Sequence, residues 1–144
     1  MPVLGRYLLR REAALLRMLA PTGLVPRVLA SGDDWLEMEF VPGETVSSRR
    51  KDGISGAEAD RLRAAVERFH ASGYAHGDLG RRDLLLTPSG GVVILDVATT
   101  VGPGWPACLG PLLLAWARRR DRYRLEETIR KAQERRHAGR THFA

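Results

Sequence analysis

Asp78 and Asp96 are the residues of this 144-residue chain best placed to do chemistry. Asp78 lies within His76-Gly77-Asp78-Leu79-Gly80-Arg81-Arg82-Asp83, and Asp96 closes the apolar run Val92-Val93-Ile94-Leu95. That run and Leu84-Leu85-Leu86 are separated by the turn cluster Pro88-Ser89-Gly90-Gly91, the pattern of a β-hairpin. Closing the hairpin brings Asp96, at the end of one strand, back toward Asp78 in the loop preceding the other. Two carboxylates at the ends of adjacent short strands are what phosphoryl transfer from a nucleotide requires, because positioning and charge neutralisation carry that reaction.

The elements that must position these groups follow from periodicity. Residues 6–19 read as a helix with Leu8, Leu15, Leu16 and Leu19 on one face, ended by Pro21 and Gly23. Glu12 falls on the same stripe, and a carboxylate on an apolar face wants a partner. Residues 25–30 and 35–41 read as strands joined by Gly32-Asp33-Asp34, with Leu36, Met38 and Phe40 alternating on one face. Pro42-Gly43 opens a hinge or linker to about Gly56, of which residues 47–53 read as a charged, flexible connector. From Ala57 to Ser72, Leu62, Ala65, Val66 and Phe69 recur at helical spacing, and Gly73 stands where a left-handed cap would end the helix. After Asp96 the pattern predicts a Pro/Gly-rich stretch, an apolar helix to about Ala117, and a separate charged helix to about Ala138.

Composition narrows the class. The length fits one domain with a modest core, with 44% hydrophobic and 28% charged residues. No apolar stretch is long enough for a bilayer span of about 20 residues, and no secretory leader is evident. Cys108, the single cysteine, cannot close an internal disulfide and reads as buried filler, with a reducing cytoplasm as the expected setting. Residues 1–116 hold 13 Arg/Lys and 13 Asp/Glu, whereas residues 117–144 hold 10 and 4, so the net charge of +6 lies in the C-terminal segment. A block of this kind could bind nucleic acid, anionic lipid or an acidic partner, although a solvated face is the favoured reading. His137 and His142 lack zinc-ligand spacing with any cysteine pair. His76 reads as a core brace, and His70 and the three tryptophans as packing residues.

Taken together, these residues resemble the protein-kinase-like superfamily, and more closely its small atypical branches, the RIO-type and bacterial lipopolysaccharide-kinase-like kinases. His76-Gly77-Asp78-Leu79 is similar to the catalytic loop, with Gly77 in place of an arginine. Ile94-Leu95-Asp96-Val97-Ala98 resembles the D-F-G element, Met38-Glu39-Phe40-Val41 the hinge, and Arg11-Glu12-Ala13 to Leu19 the helix bearing the glutamate that orients the nucleotide lysine. The likeness covers roughly residues 5–100, in order, and four ordered matches are far more specific than one H-x-D triplet.

The resemblance implies an α+β kinase-like fold with a truncated N-terminal lobe and a minimal C-terminal helical lobe. Within a single domain, residues 1–41 would be a remnant N-lobe, 42–56 the hinge and linker, 57–117 the C-lobe with its catalytic loop, and 118–144 a basic helical tail. It implies ATP and Mg²⁺ as cofactors, with Asp78 meeting the acceptor hydroxyl and Arg82 compensating for Gly80, which replaces a phosphate-reaching lysine. Asp96 would hold the metal, joined by Asp83 where an asparagine is usual. Glu12, Met38, Glu39 and Val41 would form the nucleotide site, the Glu39 carbonyl and Val41 amide binding the adenine edge with Met38 behind them. The acceptor would be a hydroxyl on a protein, sugar or lipid-linked substrate. No lysine precedes Lys51, so the glycine-rich loop and lysine strand of such kinases have no counterpart, as expected of a fragment or a degenerate kinase. Glu12 could then pair with a nearby arginine. A half-built N-lobe would expose apolar surface and favour self-association. The alternatives are a catalytically inactive pseudokinase that binds a partner, and a basic nucleic-acid-binding module acting through residues 118–144.

Overall fold

The computed structural model of the chain describes residues 2–49, 52–103 and 110–141. Lys51, Trp105, Cys108 and His142, and the readings attached to them, lie outside the described residues. Helix α1 (Pro2–Leu19) starts four residues earlier than periodicity predicts, with proline in the first turn, where no intrahelical N–H is needed. It buries Ala13, Leu15, Leu16 and Leu19, while Leu8 stays exposed. Gly23, in the left-handed region at φ 67°, donates its N–H to the Ala20 carbonyl and turns the chain.

Strands β1 (Val28–Ser31) and β2 (Leu36–Met38) pair antiparallel, with an irregularity between Val28 and Ala30. They are shorter than predicted, and the expected buried alternation stops at Leu36. Met38 and Phe40 are exposed, Phe40 at 88%. Two strands packed beside one helix leave the outer face of the ribbon uncovered.

The connector at residues 42–56 differs most from expectation. Strand β3 (Glu44–Thr45) adds to β4 (Leu84–Leu86), which pairs in turn with β5 (Val92–Ile94), so the anticipated hairpin is two strands of a three-stranded antiparallel sheet. Val46 and Ile54 are buried. Arg49 bridges Glu44 at 2.8 Å and also reaches Glu58. Gly53, at φ 59°, lets this loop lie against the last helix, where an added Cβ would fall 2.2 Å from the Ala132 carbonyl oxygen. The described residues of the segment are part of the packing, not the flexible connector expected.

Helix α2 (Gly56–Ala71) opens on a capping box in which the Ser55 hydroxyl accepts from the Glu58 amide while Glu58 reaches back to the Ser55 amide. It buries Ala59, Leu62, Ala65, Val66 and Phe69, and Gly73 at φ 98° follows it. Helix α3 (Gly110–Thr141) is continuous where two helices were predicted. Ala117, Asp121, Leu125, Ile129 and Ala132 are all buried along one face, at the three- and four-residue spacing of a core stripe. The charged segment is therefore an integral wall of the domain. Arg63 clamps Glu126 at 2.7 and 2.9 Å, and Arg122 clamps Glu67 at the same distances, stitching α2 to α3. No helix among the described residues is long and apolar enough to cross a membrane.

Candidate active site

The loop from His76 to Asp83 is held from three sides. From below, buried Asp121 of α3 accepts the backbone amides of His76 at 2.7 Å and Gly77 at 2.9 Å, and bonds His70 Nε2 at 3.0 Å. Asp121 is 0% exposed, and a buried carboxylate is tolerable only with such a set of donors. His70, expected as a packing residue, is therefore a polar anchor. With Nε2 donating, its bare Nδ1 needs no acceptor. Sequence reasoning missed Asp121, although a single acid in the register of Ala117, Leu125 and Ile129 was the available signal.

From the sheet side, His76 Nε2 meets the Leu95 carbonyl at 3.1 Å, so this buried ring is the brace that its sequence position suggested. The Leu95 amide donates to the Asp83 carbonyl at 2.8 Å, extending the β4–β5 ladder by one pair and setting Asp96 next to Asp83. Gly77 sits at φ 84°, and a Cβ there would lie 3.1 Å from the Thr99 carbonyl oxygen, so the close approach of residues 97–99 favours glycine where an arginine would be crowded. Thr99 Oγ1 donates to the His76 carbonyl at 2.9 Å.

From the N-terminal side, Arg11 of α1 donates to the carbonyls of Ala98 and Thr100, the latter at 2.7 Å. Asp96 itself is left-handed, at φ 51° and ψ 66°, a conformation in which aspartate is among the better tolerated non-glycine residues. Adjacent Glu12 is half-buried. Burial pushes its carboxyl above the ordinary range, and the Asp96 charge adds to the effect. Glu12 makes no ion pair among the described residues, so the arginine partner expected for it is not found among them; neighbouring Arg11 reaches backbone carbonyls.

Asp78, Asp83 and Asp96 share one region. Burial raises the Asp83 carboxyl, opposed by the Gly80 amide at 2.7 Å and by His76, and the charges of Asp96 and Asp78 raise it further. Among the described residues neither Asp83 nor Asp96 has a Lys or Arg ion pair, while Asp78 Oδ1 takes Arg120 Nη2 at 3.0 Å. Arg120 also lies 5.3 Å over the Trp116 ring, so Trp116, like half-exposed Trp35, is a surface residue and not the packing residue expected. Arg82 is exposed and makes no side-chain hydrogen bond among the described residues. No group of three or more His, Cys, Asp or Glu side chains among the described residues forms a metal cage. Asp83 and Asp96 together offer the one or two carboxylates that Mg²⁺ commonly takes from protein, water and phosphate supplying the rest.

The hinge residues lie along β2 and beyond it. The Glu39 carboxylate is occupied by the Arg27 amide and Nε, both at 2.9 Å. Its carbonyl and the Val41 amide make no hydrogen bond among the described residues. Met38 is exposed and so backs no closed pocket within the described residues.

Residues 7–142 match the model of a phosphotransferase enzyme family. The chain is 32% identical over 90 residues to "Putative serine/threonine-protein kinase YrzF" of Bacillus subtilis (strain 168), covering 61% of this chain and 42% of that protein. It is also similar in fold to a solved structure described as WbdD in co-crystal with the kinase inhibitor LY294002, at a TM-score of 0.56 and 19% identity, over 90% of this chain and 36% of that one. The chain thus spans about two fifths of the length of the first and just over a third of the second.

Proposed function

The chain belongs to the phosphotransferase enzyme family, within the protein-kinase-like superfamily, and from that premise we propose that it transfers the terminal phosphoryl group of ATP to a hydroxyl, as atypical Ser/Thr kinases do. The observation that supports this best is the crowding of Asp78, Asp83 and Asp96, with the Asp83 carboxyl raised by burial and by its two acidic neighbours. Like charges gathered around Asp83, with only Asp78 of the three paired to an arginine among the described residues, are costly in the free protein, and a divalent ion would relieve that cost.

In this reading Asp83 and Asp96 hold Mg²⁺, which when bound neutralises charge on the nucleotide phosphates. Asp78 orients the acceptor hydroxyl and takes its proton as the new P–O bond forms and the bond to the departing ADP oxygen breaks. Oδ2 of Asp78 is left for this task, since Oδ1 is engaged by Arg120. Exposed Arg82 is free to swing toward the transferred group. The Glu39 carbonyl and Val41 amide receive the adenine edge, with Met38 against the base. Arg11 positions the segment after Asp96 from the N-terminal side.

Titration of the chain with ATP, with and without Mg²⁺, tests the proposal. Weak binding that requires the ion is expected, with Asp96→Asn abolishing the ion dependence and Asp78→Asn preserving binding while ending ADP production. ATP binding that is indifferent to both Mg²⁺ and Asp96→Asn would overturn the assignment. A folded chain with no nucleotide binding would leave the reading of a non-catalytic member of the family.

A further inference from the structure

A cleft of about 330 Å³ opens between the catalytic loop and α3, and its charged lining is mostly basic. Gly80 and Arg81 line it from the loop, and Arg124, Glu127, Lys131 and Arg135 from α3. The three α3 cations fall at offsets of seven and four residues, on one helical face. Arg81 has its backbone fixed, its carbonyl accepting the Ser47 amide at 2.9 Å. Elsewhere on α3 several basic side chains are spent internally: Arg118 on the His70 carbonyl, Arg120 on Asp78, Arg122 on Glu67 and Arg130 on Glu134. In the cleft, Lys131 pairs with Glu127, whereas the side chains of Arg81, Arg124 and Arg135 donate no hydrogen bond among the described residues. Walls lined mostly by one sign of charge, here four cations against Glu127, concentrate the field within them.

We infer that this cleft binds the phosphate of a small phosphorylated acceptor and so presents that acceptor's free hydroxyl to Asp78. The inference rests on the proposed phosphotransfer for its second half only. Gly80 is two residues beyond Asp78, so at most about 7 Å of extended backbone separates the cleft wall from the candidate base. Guanidinium groups match phosphate oxygens in paired geometry, and three line this cleft without donating a side-chain hydrogen bond among the described residues. The volume is at the lower end for small-molecule sites, roughly 300–1,000 Å³, and suits a sugar or polyol phosphate better than an extended acidic peptide.

Binding is measured calorimetrically on the full chain without nucleotide, using inorganic phosphate, a panel of sugar and polyol phosphates, the matching neutral sugars, and an acidic serine peptide. The phosphates are expected to bind and the neutral sugars not, with at least one ester tighter than inorganic phosphate. The double variant Arg124→Glu/Arg135→Glu is expected to weaken ester binding about tenfold or more, while Arg61→Glu, the same kind of charge reversal on the exposed face of α2, leaves it unchanged. If the double variant fails to fold, Arg124→Gln alone gives the same comparison with a smaller loss. Equal weakening by Arg61→Glu, no ester tighter than inorganic phosphate, or tighter binding of the acidic peptide would each overturn the inference. Because no nucleotide is present, ester binding stands even if phosphotransfer is disproved. Conversely, ADP production with neutral acceptors but no phosphate binding would overturn the cleft assignment and leave the proposed function standing.

Discussion

Arg120 and Asp78 form an ion pair at 3.0 Å that ties the middle of α3 to the candidate base. Their side chains are 42% and 57% exposed, so solvent screening limits the contribution to stability to at most about 1 kcal/mol. Arg120→Ala is therefore expected to leave the thermal midpoint nearly unchanged. Turnover should fall several-fold, because Asp78 loses the contact that fixes its orientation. A large drop in melting temperature would show that the pair is structural.

Asp121 presents the opposite case. It is fully buried and serves three donors, so Asp121→Ala strands two backbone amides and a histidine, with an expected cost of about 3–5 kcal/mol. Asp121→Asn keeps an acceptor oxygen and should cost less, while still loosening the loop. Chemical denaturation of both variants, with amide exchange at His76 and Gly77, measures the two effects separately.

The raised carboxyls at Asp83 and Glu12 set the pH dependence. An acid whose folded value is raised holds its proton more tightly when folded. Its contribution to stability is full below the ordinary carboxylate range and is lost as pH rises through the raised value. Asp83→Asn, which can still accept the Gly80 amide, should therefore be more stable than the parent chain at neutral pH, and the difference should vanish below about pH 4. Mg²⁺ should raise the melting temperature of the parent chain at pH 7 and have little effect in acid. Thermal melts across pH, with and without the ion, check both expectations.

The basic segment cannot be removed as a tail. Leu125→Ala empties a core position and is expected to cost about 2–5 kcal/mol, a large part of a typical domain's 5–15 kcal/mol. Deletion of residues 118–144 should unfold the chain outright, with loss of helical circular dichroism well beyond the deleted share.

Loss of the α2 cap should be milder. Ser55→Ala removes the acceptor for the Glu58 amide and half of the capping box, a change of about 1 kcal/mol. Arg49 still holds Glu58 in place, so the helix start should shift without the domain unfolding, and urea midpoints measure the difference.

What could be read in advance depended on how local its cause was. The β4–β5 hairpin announces itself through Pro88 to Gly91 between two apolar runs, and α2 through the spacing of Leu62, Val66 and Phe69. Strand β3 could not be read, because Glu44-Thr45 has no alternation of its own and pairs only because β4 offers a free edge. The change from apolar to charged residues near Ala117 looked like a boundary between helices, yet the buried register continues through Leu125 and Ile129. Asp78 and Asp96 are legible as neighbours because the hairpin brings their backbones together, whereas Asp83 enters only through the kinase resemblance. Asp121 and Arg120 act on residues 76–78 from a helix more than forty residues further along the chain, a relationship that no local pattern encodes.

On α3, positions 121, 125, 129 and 132 face inward and hold the domain together, while positions 124, 131 and 135 face the cleft. Because the two sets interleave on a single rod, the outward residues can be exchanged without disturbing the buried ones. What this molecule recognises is thus free to diverge among relatives, or to be redesigned, while the apparatus beside it stays in register.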